Sequence, residues 1–248
     1  MQTIAIGNRR GGTGKTVTAF ALAAGLRRKG YKVLLIDLDS QTNLTYDTAA
    51  EIGKYSSMDL LTGAAAAERC IVNGDIIPAE PALAGADLLL TGKGKELKLR
   101  TALKPINKKY DFAILDLPPA LGMITTNALT AADKLIIPAQ AEIHSLQGIG
   151  LLYRVFTSIK ESTNPDLTLD GILLTRYNGR SILSQDMKES LENMAAEIGT
   201  RVYSTPIREC VAIKESQAMR TDIFEYAPRS NAAKDYAAFI EEFLEGRT

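Results

Sequence analysis

The sequence predicts an α/β domain with a mostly parallel central sheet flanked by helices on both faces. Three observations point there. Short apolar runs alternate with helix-length stretches, two of those runs end in an aspartate, and the first leads straight into a glycine-rich turn. Such alternation is the pattern of parallel strands joined by crossover helices. Strand-like runs fall at residues 3–6, 32–37, 86–90, 111–116, 134–138, 167–174 and 202–204. Helical patterns occupy 16–29, 94–106, 124–131, 145–162, 181–198 and 231–244. Ligands in sheets of this kind bind beyond the carboxyl ends of the strands.

Composition narrows the class further. At 248 residues and 46% hydrophobic content the chain can bury one substantial core. Lys plus Arg and Asp plus Glu are equal at 29 each, so any attraction to a polyanion must come from a local patch. Cys70 and Cys210 stand far apart, and His144 is the only histidine, which excludes a Cys/His zinc site and an iron–sulfur cluster. Both thiols are expected to be reduced and buried. The N-terminus lacks the basic, apolar and small-residue order of a signal peptide, and no apolar run reaches membrane-spanning length, so a cytoplasmic location is expected.

The chemistry concentrates in three segments. Residues 8–16 read Asn-Arg-Arg-Gly-Gly-Thr-Gly-Lys-Thr between a strand and a helix. The glycines let backbone N–H groups face a polyphosphate, Lys15 neutralises the β and γ phosphates, and Thr16 offers a hydroxyl to Mg²⁺. The usual Gly-x-x-x-x-Gly-Lys-Thr spacing fails because position 9 is arginine, so this is a deviant loop in which a cation precedes Gly11-Gly12. The second segment, Asp37-Leu-Asp39 at a strand end, places two carboxylates on one side: Asp39 to orient an attacking water and Asp37 to serve the Mg²⁺ shell. The third ends a buried strand in Asp116, followed by Leu117-Pro118-Pro119. Asp116 is the acid expected to reach Mg²⁺, and the prolines stiffen the turn beside the γ phosphate.

These segments resemble the ParA/Soj-type partition ATPases of the ParA/MinD superfamily. Arg10-Gly-Gly-Thr-Gly-Lys-Thr is similar to that family's Lys-Gly-Gly-x-Gly-Lys-Thr, Asp37-Leu-Asp39-Ser-Gln41 to its Asp-x-Asp-Pro-Gln, and Tyr110 to Gly122 to its Tyr-Asp-(apolar)-Asp-x-Pro-Pro-x-Leu-Gly. Asn127-Ala-Leu, Ile136-Ile-Pro-Ala-Gln140 and Glu225-Tyr-Ala-Pro-Arg-Ser230 also read like family segments. The resemblance implies a single P-loop NTPase domain over 1–248, with no DNA-reading helix-turn-helix before the first strand. It implies a slow ATPase that uses ATP and Mg²⁺. Nucleotide would be held by Arg10, Gly11, Gly12, Thr13, Gly14, Lys15, Thr16 and Thr18, with Thr205, Pro206 and Arg208 flanking adenine. Metal would be held by Thr16, Asp37 and Asp116, and catalysis would rest on Lys15, Asp39 and Arg10. The implied partners are a second copy of the chain, joined in the ATP state, nonspecific DNA, and a centromere-binding ParB-like adaptor; the implied place is the nucleoid.

Two departures stand out. The lysine that in this family reaches across a dimer to the partner's phosphates is Arg10 here, which keeps the charge but replaces a compact ammonium with a planar fork. Ser40 replaces the usual proline of the second motif. Two basic regions are candidate DNA contacts: Lys93, Lys95, Lys98, Arg100, Lys104, Lys108 and Lys109 against the single acid Glu96, and a C-terminal set of Arg201, Arg208, Lys214, Arg220, Arg229 and Lys234 interleaved with acids. A membrane-positioning role would need a basic amphipathic C-terminal helix. Here the polar face is acidic, and Tyr236, Phe239, Ile240 and Phe243 read as a face packed on the domain. Three functions stay open: an ATP-switched DNA partition motor, a membrane-positioning ATPase, and an ATP-binding dimeric switch with weak or no hydrolysis.

Overall fold

The computed structural model describes residues 1–246. Six strands form its sheet: β1 (Gln2–Ile6), β2 (Val33–Asp37), β3 (Ile76–Ile77), β4 (Phe112–Asp116), β5 (Lys134–Gln140) and β6 (Thr168–Thr175). All pairs are parallel, in the order β3-β2-β4-β1-β5-β6. The helices are α1 (Lys15–Arg28), α2 (Asn43–Asp47), α3 (Ser57–Thr62), α4 (Ala67–Cys70), α5 (Ala86–Leu89) and α6 (Lys98–Leu103). They continue as α7 (Met123–Ala131), α8 (Ile143–Ser162), α9 (Ile182–Glu197), α10 (Val211–Ala218), α11 (Ile223–Tyr226) and α12 (Asn231–Glu245).

The strands are buried on both faces because alternate residues feed two cores. Ala5, Leu34, Ile36, Ala113 and Leu115 face one core with α3, α7 and α8. Ile4, Ile6, Leu35, Phe112 and Ile114 face the other with α1 and α12. A strand enclosed in this way reads as a continuous apolar run rather than an alternating one. The predicted α/β class therefore holds, and the expected face of α12 packs as read: Tyr236, Phe239, Ile240 and Phe243 are all buried. Phe239 meets Tyr203 edge-on at 4.8 Å.

Three element predictions need correction. Residues 86–90, read as a strand, form α5; burial of Ala86 and Leu90 with exposure of Leu88 and Leu89 is a helical period. The strand beside β2 is instead the two-residue β3. Residues 202–204 contribute one parallel bridge, Ile172 to Val202, rather than a strand. The helix predicted over 94–106 is broken into a 3₁₀ turn, α6 and a second 3₁₀ turn at Pro105, where the ring cannot continue an α-helical ladder.

Candidate nucleotide and metal site

β1, β2 and β4 are adjacent and in register, so their carboxyl ends carry the three predicted segments to one place: Ile6 pairs with Asp116, and Asp37 with Asp116. After β1 the chain turns through Gly12 (φ 74°) and Gly14 (φ 82°), left-handed conformations that favour glycine. A Cβ added at Gly11 or Gly12 would meet nothing within 4 Å, so the loop opens to solvent on its inner side. Gly14 caps α1 with no side-chain hydrogen bond, which leaves the first N–H groups of a 14-residue helix for a ligand.

The loop is pinned from outside. Gln140 donates Nε2 to the Gly12 carbonyl at 2.8 Å, and Thr175 donates its hydroxyl to the Thr13 carbonyl at 2.9 Å. Asn8 donates to the Pro138 carbonyl at 2.8 Å and accepts from the Arg10 N–H at 3.0 Å. Sequence reasoning missed Gln140 and Thr175 as loop supports; their position at the ends of the β5 and β6 runs was the available signal.

Charge in the site is concentrated and mostly buried. Lys15 is buried and donates Nζ to the Arg10 carbonyl at 3.3 Å. Burial lowers its pKa, against the attraction of Asp116 and Asp39. Asp116 is wholly buried, and neither carboxylate oxygen has a hydrogen-bond partner of ordinary geometry; the Thr16 hydroxyl reaches toward it short of such a bond. Burial, then the charge of Asp37, holds its pKa well above the usual carboxylate range. Unpaired buried carboxylate oxygens beside a hydroxyl, under an anion cradle, match a hard divalent cation, so the donors Thr16 and Asp116 fit Mg²⁺.

Asp37, predicted to serve the Mg²⁺ shell, has both oxygens hydrogen-bonded within the chain. Its Oδ2 accepts from the Thr45 N–H at 2.8 Å and hydroxyl at 2.7 Å, and its Oδ1 from the Asp39 N–H at 3.1 Å. Burial pushes its pKa up to about 6, even against those three donors. These oxygens are committed to the turn that launches α2, so Asp37 holds Asp39 and α2 in place rather than presenting a free metal-binding edge. Asp39 accepts from the Gln41 N–H at 3.0 Å and lines the cleft.

The cleft, of about 440 Å³, runs from the loop to α10. Gly11, Gly12, Gly14, Lys15, Thr16 and Asp39 line it, as does Pro119 of the proline turn. Thr13, Thr18, Thr205, Pro206 and Arg208 do not. Thr13 is buried behind the loop, and Thr18 shares a hydrogen bond with the Tyr236 hydroxyl at 3.2 Å in the core. Arg208 is closed onto Asp235 by two bonds of 2.9 and 2.6 Å. The wall facing the loop is built one step further along, from Ile207, Glu209, Cys210, Ile213, Lys214 and Gln217. Cys210 is therefore half-buried in the cleft, not in the core as expected; Cys70 is buried, and burial pushes its thiol up to about 11. Arg10 sits on the rim, ion-paired with Glu142 at 2.5 Å. Among the described residues no group of three or more His, Cys, Asp or Glu forms a metal cluster.

Residues 1–169 match the AAA domain family. The chain is 39% identical to the chromosome-partitioning ATPase Soj of Thermus thermophilus, over 98% of its own length and 96% of that protein. This chain belongs to the Soj/ParA family of chromosome-partitioning ATPases. Its other Soj/ParA relatives include the sporulation initiation inhibitor protein Soj of Bacillus subtilis, 35% identical over 96% of each chain, and the chromosome partitioning protein ParA of Caulobacter vibrioides, 33% identical over 98% of this chain and 94% of that one. Among solved structures it is similar to a cobyrinic acid a,c-diamide synthase of Mycobacterium smegmatis with bound ATP analog and magnesium, at TM-score 0.86 and 31% identity, covering 100% of this chain and 96% of that one. It is also similar to the ATP complex of a Cyanothece McdA variant, at TM-score 0.86 and 25% identity over 99% and 96%. The Soj/ParA loop, the paired aspartates and the single α/β domain are thus those of a P-loop ATPase.

Proposed function

We propose that this protein is an ATP-switched DNA partition motor: it binds Mg-ATP in the cleft, joins a second copy across that face, gains affinity for DNA, and loses it on hydrolysis. The observation that carries the reading is the stacked arrangement of an uncapped α1 N-terminus, buried Lys15 and unpartnered Asp116 beneath one open cleft. Relatives named as partition ATPases, and a structural neighbour bound to an ATP analog and magnesium, support the choice of nucleotide and metal.

The chain's own residues then divide the work. The loop N–H groups and Lys15 hold the β and γ phosphates, and Thr16 with Asp116 would hold the metal. Mg²⁺, when bound, neutralises charge on the phosphate oxygens. Asp39, fixed by the Gln41 N–H and by the Asp37 turn, is placed to orient a water at the γ phosphate. Arg10 supplies the cation at the rim; its planar fork is engaged with Glu142 and would have to leave that pair to act across an interface.

Homodimerisation is supported by the apolar rim at this end of the sheet. Ile143, Ile182, Leu183 and Val211, each at least 67% exposed, begin α8, α9 and α10, of which α10 lines the cleft. DNA binding is supported by the exposed residues Lys93, Lys98, Arg100, Lys104, Lys108 and Lys109. In the C-terminal basic set Arg201 pairs with Asp170, Arg208 with Asp235, and Arg220 stacks on Tyr46, while Lys214, Arg229 and Lys234 are exposed. A ParB-like adaptor and a cytoplasmic, nucleoid-associated location complete the reading. A membrane role finds no support in α12, whose apolar face is consumed by the core.

The test is the oligomeric state by light scattering with the Asp39→Ala variant. Mg-ATP is expected to hold that variant as a stable dimer, and a variant that stays monomeric with saturating Mg-ATP overturns the cycle.

A further inference from the structure

The cleft has two chemically different ends. Over the loop it is polar and built for phosphate; against α10 it is walled by Ile207, Cys210 and Ile213, apolar side chains suited to the faces of a purine. One polar group at this second end is fixed from behind. Gln217 lies between the cleft and a small recess that also contains Asp47, and donates Nε2 to Asp47 Oδ2 at 2.8 Å. Asp47 is 4% exposed, so the bond is protected from competing water. An ionised carboxylate can only accept, which fixes the amide's orientation: the NH₂ faces Asp47 and Oε1 is left over. Among the described residues Oε1 has no hydrogen-bond partner. The other charged groups at this end are held less firmly, with Glu209 paired to Arg176 where both side chains are at least half exposed, and Lys214 exposed.

We propose that Gln217 is the base-reading residue of this ATPase: Oε1 accepts from the exocyclic 6-amino group of adenine, and Asp47 is the positioning residue that keeps the acceptor, not the donor, turned to the base. Adenine presents an N–H₂ donor at this position, whereas guanine and hypoxanthine present a carbonyl acceptor. An acceptor facing an acceptor is repelled and left unpaired in a half-buried site, so the arrangement selects by rejection as well as by attraction. The inference rests on the cleft being the nucleotide site. It adds which atom reads the base and what holds that atom in orientation.

The experiment is calorimetric titration of the whole protein with Mg-ATP and Mg-ITP, whose bases differ in a 6-amino against a 6-oxo group, with N1 an acceptor in the first and an N–H in the second. Wild type is expected to prefer ATP by about tenfold or more, the worth of one such hydrogen bond. Gln217→Leu is expected to lower ATP affinity and, by removing the clash with the 6-carbonyl, to raise ITP affinity, so that the two converge; an unchanged melting temperature reports that the variant is folded. Asp47→Asn allows the Gln217 amide to turn either way, and is expected to narrow the ATP preference several-fold with Gln217 intact. A role that is merely structural would weaken both nucleotides together. Equal affinity of wild type for ATP and ITP, or an unchanged ratio in both variants, overturns the inference while leaving the nucleotide site standing. Failure of wild type to bind either nucleotide would instead sink the site assignment beneath it.

Discussion

At the scale of single residues, the site is defined by buried charge awaiting complementary charge. Lys15 and Asp116 are both held away from water, and each is perturbed in the direction burial dictates: the amine down, the acid up. A polyphosphate with Mg²⁺ supplies the missing partners of both. Lys15→Ala is therefore expected to weaken Mg-ATP binding by about a hundredfold, read by calorimetry, since it removes a charge-assisted contact from a desolvated site. The two thiols provide an independent probe. Cys210 lines the cleft and Cys70 is buried with its thiol pushed up to about 11, so a thiol reagent at pH 8 is expected to label Cys210 first. Mg-ATP is expected to slow that labelling, and labelling that is indifferent to nucleotide would place Cys210 away from the ligand. The segments that line the cleft were legible because strand ends with aspartate and a Gly-Lys-Thr turn are local signals. That Thr18, Thr205, Pro206 and Arg208 do not line the cleft could not be read from the sequence, because the side a residue presents depends on long-range partners: Tyr236 claims Thr18, and Asp235 claims Arg208. The partners of Asp37 were hidden for a similar reason, as its Oδ2 accepts from Thr45 eight residues downstream.

At the scale of elements, strand burial and helix docking fix the cleft's two walls. β1, β2 and β4 supply one wall; the other is held by α12, which packs on α1 and on the segment between β6 and α10. Phe239→Ala would remove a fully buried ring from Tyr203 and is expected to cost about 3–5 kcal/mol, lowering the melting temperature by on the order of 10 °C in thermal unfolding. An unchanged melting temperature would show α12 to be peripheral. The runs at β4 and β5 were readable as strands because each is short, enriched in branched apolar residues and bounded by turn signals. The run at 86–90 misled because three consecutive leucines carry no period; only the alternation of buried and exposed positions reveals α5. β3, two residues long, leaves no periodicity to detect, and α10 carries too little contrast between its faces, so the base-facing wall was the part of the site least visible from sequence.

At the scale of the whole molecule, the zero net charge means that any DNA affinity must arise from a patch. Arg100 and Lys104 lie beside Met1 and Thr3, at the amino end of β1 and so opposite the cleft, while the rest of the basic stretch is spread over exposed turns. Lys104→Glu with Lys108→Glu is expected to reduce the salt dependence of DNA binding by about two in the log–log slope, leaving ATP turnover without DNA unchanged. An unchanged slope would move the DNA face elsewhere. The fold class and family could be read from the chain because the three motifs are local and the sheet order brings them together.

The decisive experiment is ATP turnover by the purified protein, with and without nonspecific duplex DNA and beside the Arg10→Lys variant. The partition motor requires slow turnover by wild type that rises when DNA is added, with Arg10 released from Glu142 to serve in the closed state. Absence of turnover in wild type, with turnover restored by Arg10→Lys, would contradict it and mark the protein as an ATP-binding switch that has given up hydrolysis.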